Sequence, residues 1–295
     1  MELEASGLQI GYGDHVIVNQ MDVSIARNKI TTIIGPNGSG KSTLLKALTR
    51  LIRYQKGSVI LDGCDIQTMK PKSLAKKLGV LPQIHTAPSD FRVKELVGYG
   101  RMPHQKLMSG KSKEDEEVIR WAMEVTGTWK FRDKSIYEIS GGETQRVWIA
   151  TVLAQKPEIM FLDEPTTGLD PVTTGYIHNM IKKLAEKGTT IILTTHNMDE
   201  AAKLCDNVGM LYEGKIVEYG NPQELCYRYR VENLFRVISN DDEEIYIENN
   251  ESGRKKAAEM LVHNEIKSIH TVETTLQTIF VKLTGKELEN ESSSY

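Results

Sequence analysis

The fold class of this chain is decided by the segment Gly35-Pro36-Asn37-Gly38-Ser39-Gly40-Lys41-Ser42-Thr43. It follows a short apolar, β-branched run at residues 30–34, which suits a strand buried in the middle of a sheet. Behind it, leucines and isoleucines recur at helical spacing through residues 44–52. The segment matches G-x-x-x-x-G-K-[ST] in full, and its context of strand, glycine loop and helix is the one in which this pattern binds phosphate.

The residue types of this phosphate loop suit the phosphates of ATP. Glycines let the backbone curl so that several N–H groups point inward, and the N-terminus of the following helix adds its positive end. Lys41 supplies a mobile charge for the β- and γ-phosphates, and Ser42 places a hydroxyl on Mg²⁺. A chance glycine-rich turn is the alternative, but it does not account for the strand before the loop and the helix after it.

A second candidate site lies at the end of another apolar run, Ile159-Met160-Phe161-Leu162-Asp163-Glu164. A strand that ends in two acids directs both carboxylates to the carboxyl edge of the sheet, where ligands bind in open α/β folds. We expect Asp163 to help hold Mg²⁺ and Glu164 to polarise the attacking water as general base. Alone, such an ending is often just a strand that meets solvent. The complete phosphate loop upstream favours the functional interpretation.

A third feature, Ser140-Gly141-Gly142-Glu143, begins a helical stretch that extends to Gln155. Ser140 and Glu143 have the spacing of a capping box, which is the purely structural explanation. That explanation leaves Gly141 and Gly142 aside, although glycine is costly in the first turn of a helix. Two glycines and a hydroxyl at a helix N-terminus favour a close approach to an anion.

The bulk composition bears on several classes of function. The chain has 295 residues and a formal net charge of -3, a balance that does not favour binding to nucleic acid. Its three cysteines are widely spaced, which predicts free thiols in a reducing compartment. No apolar run is long enough to cross a bilayer, and the first residues lack a basic and then apolar leader. We therefore expect a chain that is neither exported nor membrane-spanning by itself.

The order of elements predicts the domain organisation. Alternating strands and helices indicate an α/β fold with a mixed, mostly parallel sheet, and short strands with turns near the start indicate an antiparallel β portion. A helical insertion is expected at about residues 84–155. The main domain then covers residues 1–226, and residues 227–295 form a small α+β appendage.

Taken in chain order, the phosphate loop, the Ser-Gly-Gly-Glu segment and Leu162-Asp163-Glu164-Pro165 resemble the ATPases of the ATP-binding cassette (ABC) family over about residues 3–225. The resemblance implies a P-loop NTPase core with a helical subdomain, and the cofactors ATP and Mg²⁺. It implies roles for four further residues: adenine stacking by Tyr12, Mg²⁺ contact and permease coupling by Gln83, a place at the dimer interface for Asp170, and γ-phosphate contact by His196. Without the resemblance, Tyr12 is a turn tyrosine and His196 a structural histidine.

The same resemblance implies that two copies pack head to tail. Residues 140–143 of one copy then close over the ATP held by the phosphate loop of the other, which accounts for the two glycines. One chain contains halves of two sites, and ATP joins the dimer until hydrolysis opens it. A plain P-loop kinase is disfavoured, because it would not need the Ser-Gly-Gly-Glu segment.

The helical insertion contains Val93-Lys94-Glu95-Leu96-Val97-Gly98-Tyr99-Gly100-Arg101-Met102-Pro103-His104, which is similar to the ATPases of iron–siderophore, haem and cobalamin importers. The alternative is that Gly-Arg-x-Pro-His is only a local helix end. The importer resemblance implies transmembrane permease subunits, an extracytoplasmic substrate-binding protein, and a peripheral location at the cytoplasmic face of the membrane. The segment Phe280-Val281-Lys282-Leu283-Thr284-Gly285 is similar to exporter-type cassettes, so an exporter or an importer of another cargo stays open. An ABC ATPase of translation or DNA repair is disfavoured by the single cassette and the lack of heptads.

Overall fold

The computed structural model describes residues 3–88, 91–105, 112–230, 234–263, 265–272 and 274–286. The chain divides into two compact units, of which Met1–Asn221 form most of the first and Pro222–Glu287 form the second. The boundary predicted from the sequence, at residue 226, stays a prediction. Residues 287–295 of the predicted appendage lie outside the described residues.

Strands and helices alternate through most of the first unit. Its strands are β1 (Leu3–Tyr12), β2 (His15–Ile25), β3 (Ile30–Ile34), β4 (Lys56–Leu61), β5 (Cys64–Asp65), β6 (Leu78–Leu81), β7 (Ile159–Asp163), β8 (Thr190–Thr195), β9 (Asn207–Tyr212) and β10 (Lys215–Gly220). Its helices are α1 (Lys41–Leu48), α2 (Pro71–Lys77), α3 (Val93–Tyr99), α4 (Lys113–Val125), α5 (Gly141–Ala154), α6 (Pro171–Glu186) and α7 (Met198–Leu204).

The central sheet has the strand order β10-β9-β3-β8-β7-β6. Strands β9, β3, β8, β7 and β6 run parallel to their neighbours, and β10 returns antiparallel beside β9. Every residue of β3, β7 and β8 is buried, as expected for short apolar strands covered on both faces. A second, antiparallel sheet has the order β2-β1-β4-β5. The predicted fold class, a mixed and mostly parallel sheet with an antiparallel β portion, is confirmed.

Three adjacent strands of the central sheet end at one edge. Ile34 of β3 pairs with Thr195 of β8, and Asp163 of β7 pairs with Thr194 of β8. Because parallel strands in register end together, the loops that follow them leave the sheet side by side. These loops begin at Gly35, Glu164 and His196, and they carry the predicted site.

The predicted helical insertion contains α3, α4 and α5, which pack on one another around a shared apolar cluster. Helix α4 begins at a capping box formed by Ser112 and Asp115. Helix α5 begins at the predicted capping box, in which Ser140 Oγ accepts from the Glu143 amide at 3.3 Å and Glu143 Oε2 accepts from the Ser140 amide at 2.9 Å. Both caps satisfy amides that the first turn of a helix leaves unpaired.

The segment after α3 fastens the far end of α5. Buried Arg101 donates Nε to Asp115 Oδ1 at 2.8 Å and Nη1 to the carbonyl of Ala154 at 2.9 Å. A His104 ring nitrogen lies 2.8 Å from the carbonyl oxygen of Gln155. A Cβ on Gly100 would lie 2.1 Å from the carbonyl oxygen of Thr151, so only glycine lets the two backbones approach. The contacts of the Gly-Arg-x-Pro-His segment thus give a structural explanation for its residue types in this chain.

The second unit combines a three-stranded antiparallel sheet with helices, as the α+β prediction requires. Its strands, in the order β12-β11-β13, are β11 (Leu234–Ser239), β12 (Glu244–Glu248) and β13 (Ile266–Thr271). Its helices are α8 (Pro222–Arg228), α9 (Glu251–Val262) and α10 (Leu276–Thr284). Val237, Ile247, Ala257 and Ile266 form its small core. Within the part of the chain that the structure describes, no helix combines the length and apolar character that a bilayer crossing requires.

Replacing Arg101 tests the fastening of α5. Arg101→Met leaves the Asp115 carboxylate buried without its cation, and we expect a loss of about 3 kcal/mol in the free energy of unfolding. Denaturation followed by tryptophan fluorescence reports this unit specifically, because Trp121, Trp129 and Trp148 all lie in it.

The matched control is Lys29→Met. It breaks a 2.9 Å ion pair with Asp206 whose side chains are about half and one-third exposed, and it should cost less than about 1 kcal/mol. Equal losses in the two variants would contradict a special contribution of Arg101.

Candidate nucleotide-binding site

The phosphate loop joins β3 to α1 through a backbone that needs glycine. Gly40 precedes α1 with φ of +104°, a left-handed conformation that side chains other than glycine rarely adopt. A Cβ on Gly35 would lie 2.2 Å from the carbonyl oxygen of Leu211 in β9. The loop is therefore held close to the central sheet, and its amides precede the N-terminus of α1.

Two polar groups of this loop are buried and suit an anionic ligand. The Nζ of Lys41 donates to the carbonyls of Gly35 at 2.9 Å and Pro36 at 3.2 Å, and lies 3.5 Å from Glu164 Oε1. Burial lowers the pKa of Lys41, and the nearby Glu164 carboxylate opposes that shift. The Ser39 Oγ is buried with no hydrogen-bond partner among the described residues. A phosphate group would supply a partner for the hydroxyl and a counter-charge for the ammonium.

The predicted magnesium ligands lie next to the loop. Asp163 Oδ1 accepts from Ser42 Oγ at 3.1 Å and from Thr194 Oγ1 at 2.5 Å. Gln83, which follows β6, lines the same cavity as Ser42. Hydroxyl, carboxylate and amide oxygens beside a phosphate site are ligands that Mg²⁺ prefers, so the donor set fits this ion.

The predicted general base and the predicted γ-phosphate histidine are in contact. Glu164 Oε2 lies 2.9 Å from His196 Nδ1 and accepts from Thr167 Oγ1 at 2.8 Å. Burial acts to raise the pKa of Glu164, but the hydrogen bonds from His196 and Thr167 and the charge of Lys41 outweigh it, and this pKa lies below its ordinary value. Because an ionised carboxylate can only accept, the contacting His196 nitrogen is the donor.

Glu164 also has an unusual backbone, with φ of +51°. A non-glycine residue in the left-handed region costs of order 1–3 kcal/mol and is held there by its surroundings. Here the Glu164 amide donates to the Thr194 hydroxyl at 3.0 Å and to the Thr194 carbonyl at 3.2 Å. The turn after β7 is thus fixed to β8, which aims the carboxylate at Lys41 and His196.

A cavity of about 760 Å³ is lined by Lys41, Ser42, Gln83 and Glu164, whereas His196 lines a second cavity together with Thr167 and Glu200. The lining of the first cavity consists of His15, Val16, Ile17, Asn37, Gly38, Gly40, Lys41, Ser42, Thr43, Gln83, Glu164, Glu213 and Gly214. Strand β2 and the β9–β10 turn contribute to this lining, although no motif in the sequence indicates it. The Gly214 amide donates to the Ser39 carbonyl at 3.3 Å, which places the turn against the loop. Tyr12 is outside this lining: it pairs with His15 at the end of β1, and its side chain is about half exposed.

The other predicted residues lie at the start of α5 and at the N-cap of α6. Residues 140–143 at the start of α5 do not line this cavity. A Cβ on Gly142 would lie 2.9 Å from Thr173 Cγ2, which explains that glycine within the chain, whereas a Cβ on Gly141 would meet no atom within 4 Å among the described residues. Asp170 is the N-cap of α6 and accepts from the amides of Val172 and Thr173, each at 3.0 Å.

Comparison with known families identifies the family of this chain. A family model described as ABC transporter matches residues 18–167. The chain belongs to this family. A second model, described as an AAA domain, matches the shorter range 135–201. The ABC ATPase predicted from the sequence is therefore confirmed as to family and fold, and its activity is the hydrolysis of ATP that drives transport.

Several ATP-binding proteins are similar to this chain. The iron(3+)-hydroxamate import ATP-binding protein FhuC of Bacillus subtilis is 42% identical over 236 residues, which cover 80% of this chain and 88% of that protein. The ferric enterobactin transport ATP-binding protein FepC of Escherichia coli is 42% identical over 234 residues, or 79% of this chain and 86% of that protein.

Solved ABC cassettes share the fold. The ADP conformation of MJ1267, an ATP-binding cassette of an ABC transporter, has 26% identity and a TM-score of 0.69, covering 76% of this chain and 93% of that one. The dimeric structure of MJ0796, a bacterial ABC transporter cassette, has 26% identity and a TM-score of 0.67, covering 74% and 98%.

Removing the charge of Lys41 tests the phosphate contact. We expect Lys41→Ala to weaken ATP binding by about 10- to 100-fold, because a hydrogen bond to a charged group contributes about 1.5–3 kcal/mol. Titration with a fluorescent ATP analogue measures the Kd. Lys46→Ala is the control, since it removes a lysine from the same helix that does not line the cavity. Equal affinities in the two variants would contradict the role of Lys41.

Proposed function

We propose that this chain is the ATP-hydrolysing subunit of an importer of iron(III) chelates such as siderophores. The observation that carries the proposal is the similarity to FhuC and FepC, both 42% identical across about four fifths of the chain. Their names concern two different ligands, an iron(3+) hydroxamate and ferric enterobactin, so the class of cargo is proposed and not one compound.

In the proposed mechanism, each group at the sheet edge has one task. The loop amides and Lys41 hold the phosphates, and Ser39 Oγ gains a partner. Ser42, Asp163 and Gln83 would hold Mg²⁺, which neutralises charge on the phosphates when bound. Glu164 is the general base for the attacking water, and its low pKa keeps it ionised. His196 positions that carboxylate and contacts the γ-phosphate. Tyr12 stacks on adenine from the β1–β2 turn.

A second copy of the chain completes the proposed site. Residues 140–143 lie outside the cavity of their own chain, and Gly141 faces open space there, which suits the approach of a nucleotide held by a partner. Asp170 would lie at the same interface. A solved cassette of the same fold, MJ0796, has been described as a dimer. The ATP-bound state is thus a dimer that hydrolysis opens.

The proposed partners in the membrane are permease subunits, with an extracytoplasmic protein that delivers the chelate. The chain would dock on the permease from the cytoplasmic face as a peripheral subunit. Support comes from exposed apolar side chains on the helical insertion and beside Gln83. Ile84 is 84% exposed and Met102 59% exposed, and Met102 lines a groove with Phe91 and Tyr99.

Replacing the proposed base separates binding from hydrolysis. Glu164→Gln keeps the shape of the side chain but cannot take a proton, so we expect ATP binding to persist while turnover falls at least about 100-fold. An ATP-bound dimer should then accumulate, and size-exclusion chromatography with ATP measures it. Glu158→Gln at the other end of β7 is the control, because its carboxylate is half exposed and remote from the cavity. Retained turnover in Glu164→Gln would refute the assigned base.

The cargo is tested by uptake in cells that lack their own copy of the gene. Wild-type chain should restore uptake of ⁵⁵Fe supplied as a hydroxamate or as a catecholate chelate, and Glu164→Gln should not. Cobalamin uptake in the same cells is the control for cargo class. Restoration of cobalamin uptake alone, or of neither, would refute iron-chelate import. Co-purification of a polytopic membrane protein would identify the permease.

A further inference from the structure

A buried carboxylate lies beside the proposed catalytic residues, outside the set assigned so far. Glu200 in α7 is 7% exposed. Its Oε1 accepts from Thr166 Oγ1 at 2.5 Å and lies 2.5 Å from His178 Nε2, and its Oε2 accepts from Thr195 Oγ1 at 2.8 Å. One side chain therefore bonds three elements of the first unit: the loop after β7, the end of β8, and α6.

The two threonines are neighbours of the proposed catalytic residues in the chain. Thr166 lies two residues after Glu164, at the start of the loop that leads to Asp170. Thr195 directly precedes His196. Each strand end thus contributes one residue to the Glu164–His196 contact and another to the Glu200 carboxylate. Through its bonds to Thr166 and Thr195, Glu200 connects the loop that follows Glu164 to the end of β8 that precedes His196.

Glu200 is itself fixed in place. Its amide donates to Asn197 Oδ1, the N-cap of α7, at 2.9 Å, and the Asn197 amide donates to Thr195 Oγ1 at 3.1 Å. Burial acts to raise the pKa of Glu200, but the hydrogen bonds from His178, Thr166 and Thr195 outweigh it, and this pKa lies below its ordinary value. Hydrogen bonds to an ionised acceptor are short and strong, so the network resists displacement of either threonine.

We propose that Glu200 is a positioning residue of the ATPase, which sets the distance between Glu164 and His196 by bonding Thr166 and Thr195 at once. This inference rests on the roles proposed for Glu164 and His196. The contact that it controls is the 2.9 Å approach of His196 Nδ1 to Glu164 Oε2. The phosphate loop makes no bond to Glu200 among the described residues, so we expect Glu200 to affect the rate of hydrolysis far more than the affinity for ATP.

A positioning role of Glu200 and a merely stabilising role lead to different expected kinetics. A stabilising carboxylate affects the fraction of folded protein and leaves kcat per folded molecule unchanged. A positioning carboxylate affects kcat with ATP affinity unchanged, because displacement of a reacting group by about 1 Å can cost about 100-fold in rate. The conservative amide should restore much of the loss, since it can bond both threonines.

The test compares Glu200→Ala with Glu200→Gln in the full-length chain. We expect Glu200→Ala to lower kcat about 10- to 100-fold, with the KM and Kd for ATP within about twofold of wild type, and Glu200→Gln to recover most of the rate. Asp199→Ala is the matched control, because Asp199 is the exposed neighbour on the same helix turn. Its kcat should equal that of wild type.

Thr166→Val is a second variant, which tests the proposal even when Glu200→Ala does not fold. It removes one bond to Glu200 and keeps the side-chain shape, and its kcat should fall with ATP affinity unchanged. Normal kcat in folded Glu200→Ala or in Thr166→Val, or equal losses in kcat and ATP affinity, would overturn the proposal. Glu164→Gln is measured in parallel: full turnover there overturns the role of the base, whereas inactive Glu164→Gln beside normal Glu200→Ala overturns only the role of Glu200.

Discussion

The parallel pairing of β3, β8 and β7 positions the whole site. Ile34 pairs with Thr195, and Asp163 pairs with Thr194, so three strands end in register at one edge. The phosphate loop, the proposed base Glu164 and His196 each follow one of these strands. A slip of the register would shift the loop after one strand relative to its neighbours and separate Lys41, Glu164 and His196.

Buried charge is compensated at every point of this edge. Lys41 lies 3.5 Å from Glu164, which in turn bonds His196 and Thr167, while Asp163 bonds Ser42 and Thr194. Ionised groups removed from water are stable only with such partners. The same partners orient the groups for reaction, so the bonds that permit burial also arrange the chemistry. Glu200 is a further buried carboxylate whose charge is compensated by hydrogen bonds, from Thr166, His178 and Thr195.

The structure also separates the residues that the fold needs from those it does not. The Arg101 and His104 contacts at the end of α5 give the importer-like segment a structural purpose, so that segment alone says little about cargo. Ser140 and Glu143 cap α5, and Gly142 packs against Thr173. For Gly141, no packing contact among the described residues requires a glycine. It is therefore the residue of its segment that argues most directly for a partner.

The phosphate loop, the acidic strand end, the capping box at Ser140 and the mostly parallel α/β fold could all be predicted from the amino-acid sequence. These features depend on residues close together in the chain, whose hydrogen bonds and steric limits are legible in a short window. The folded chain was needed to find His15 and Glu213 in the lining of the cavity and Tyr12 outside that lining. It also joined Thr166, His178 and Thr195 to Glu200. Such contacts depend on strand register and helix packing, which are set by residues far apart in the chain and leave no local pattern.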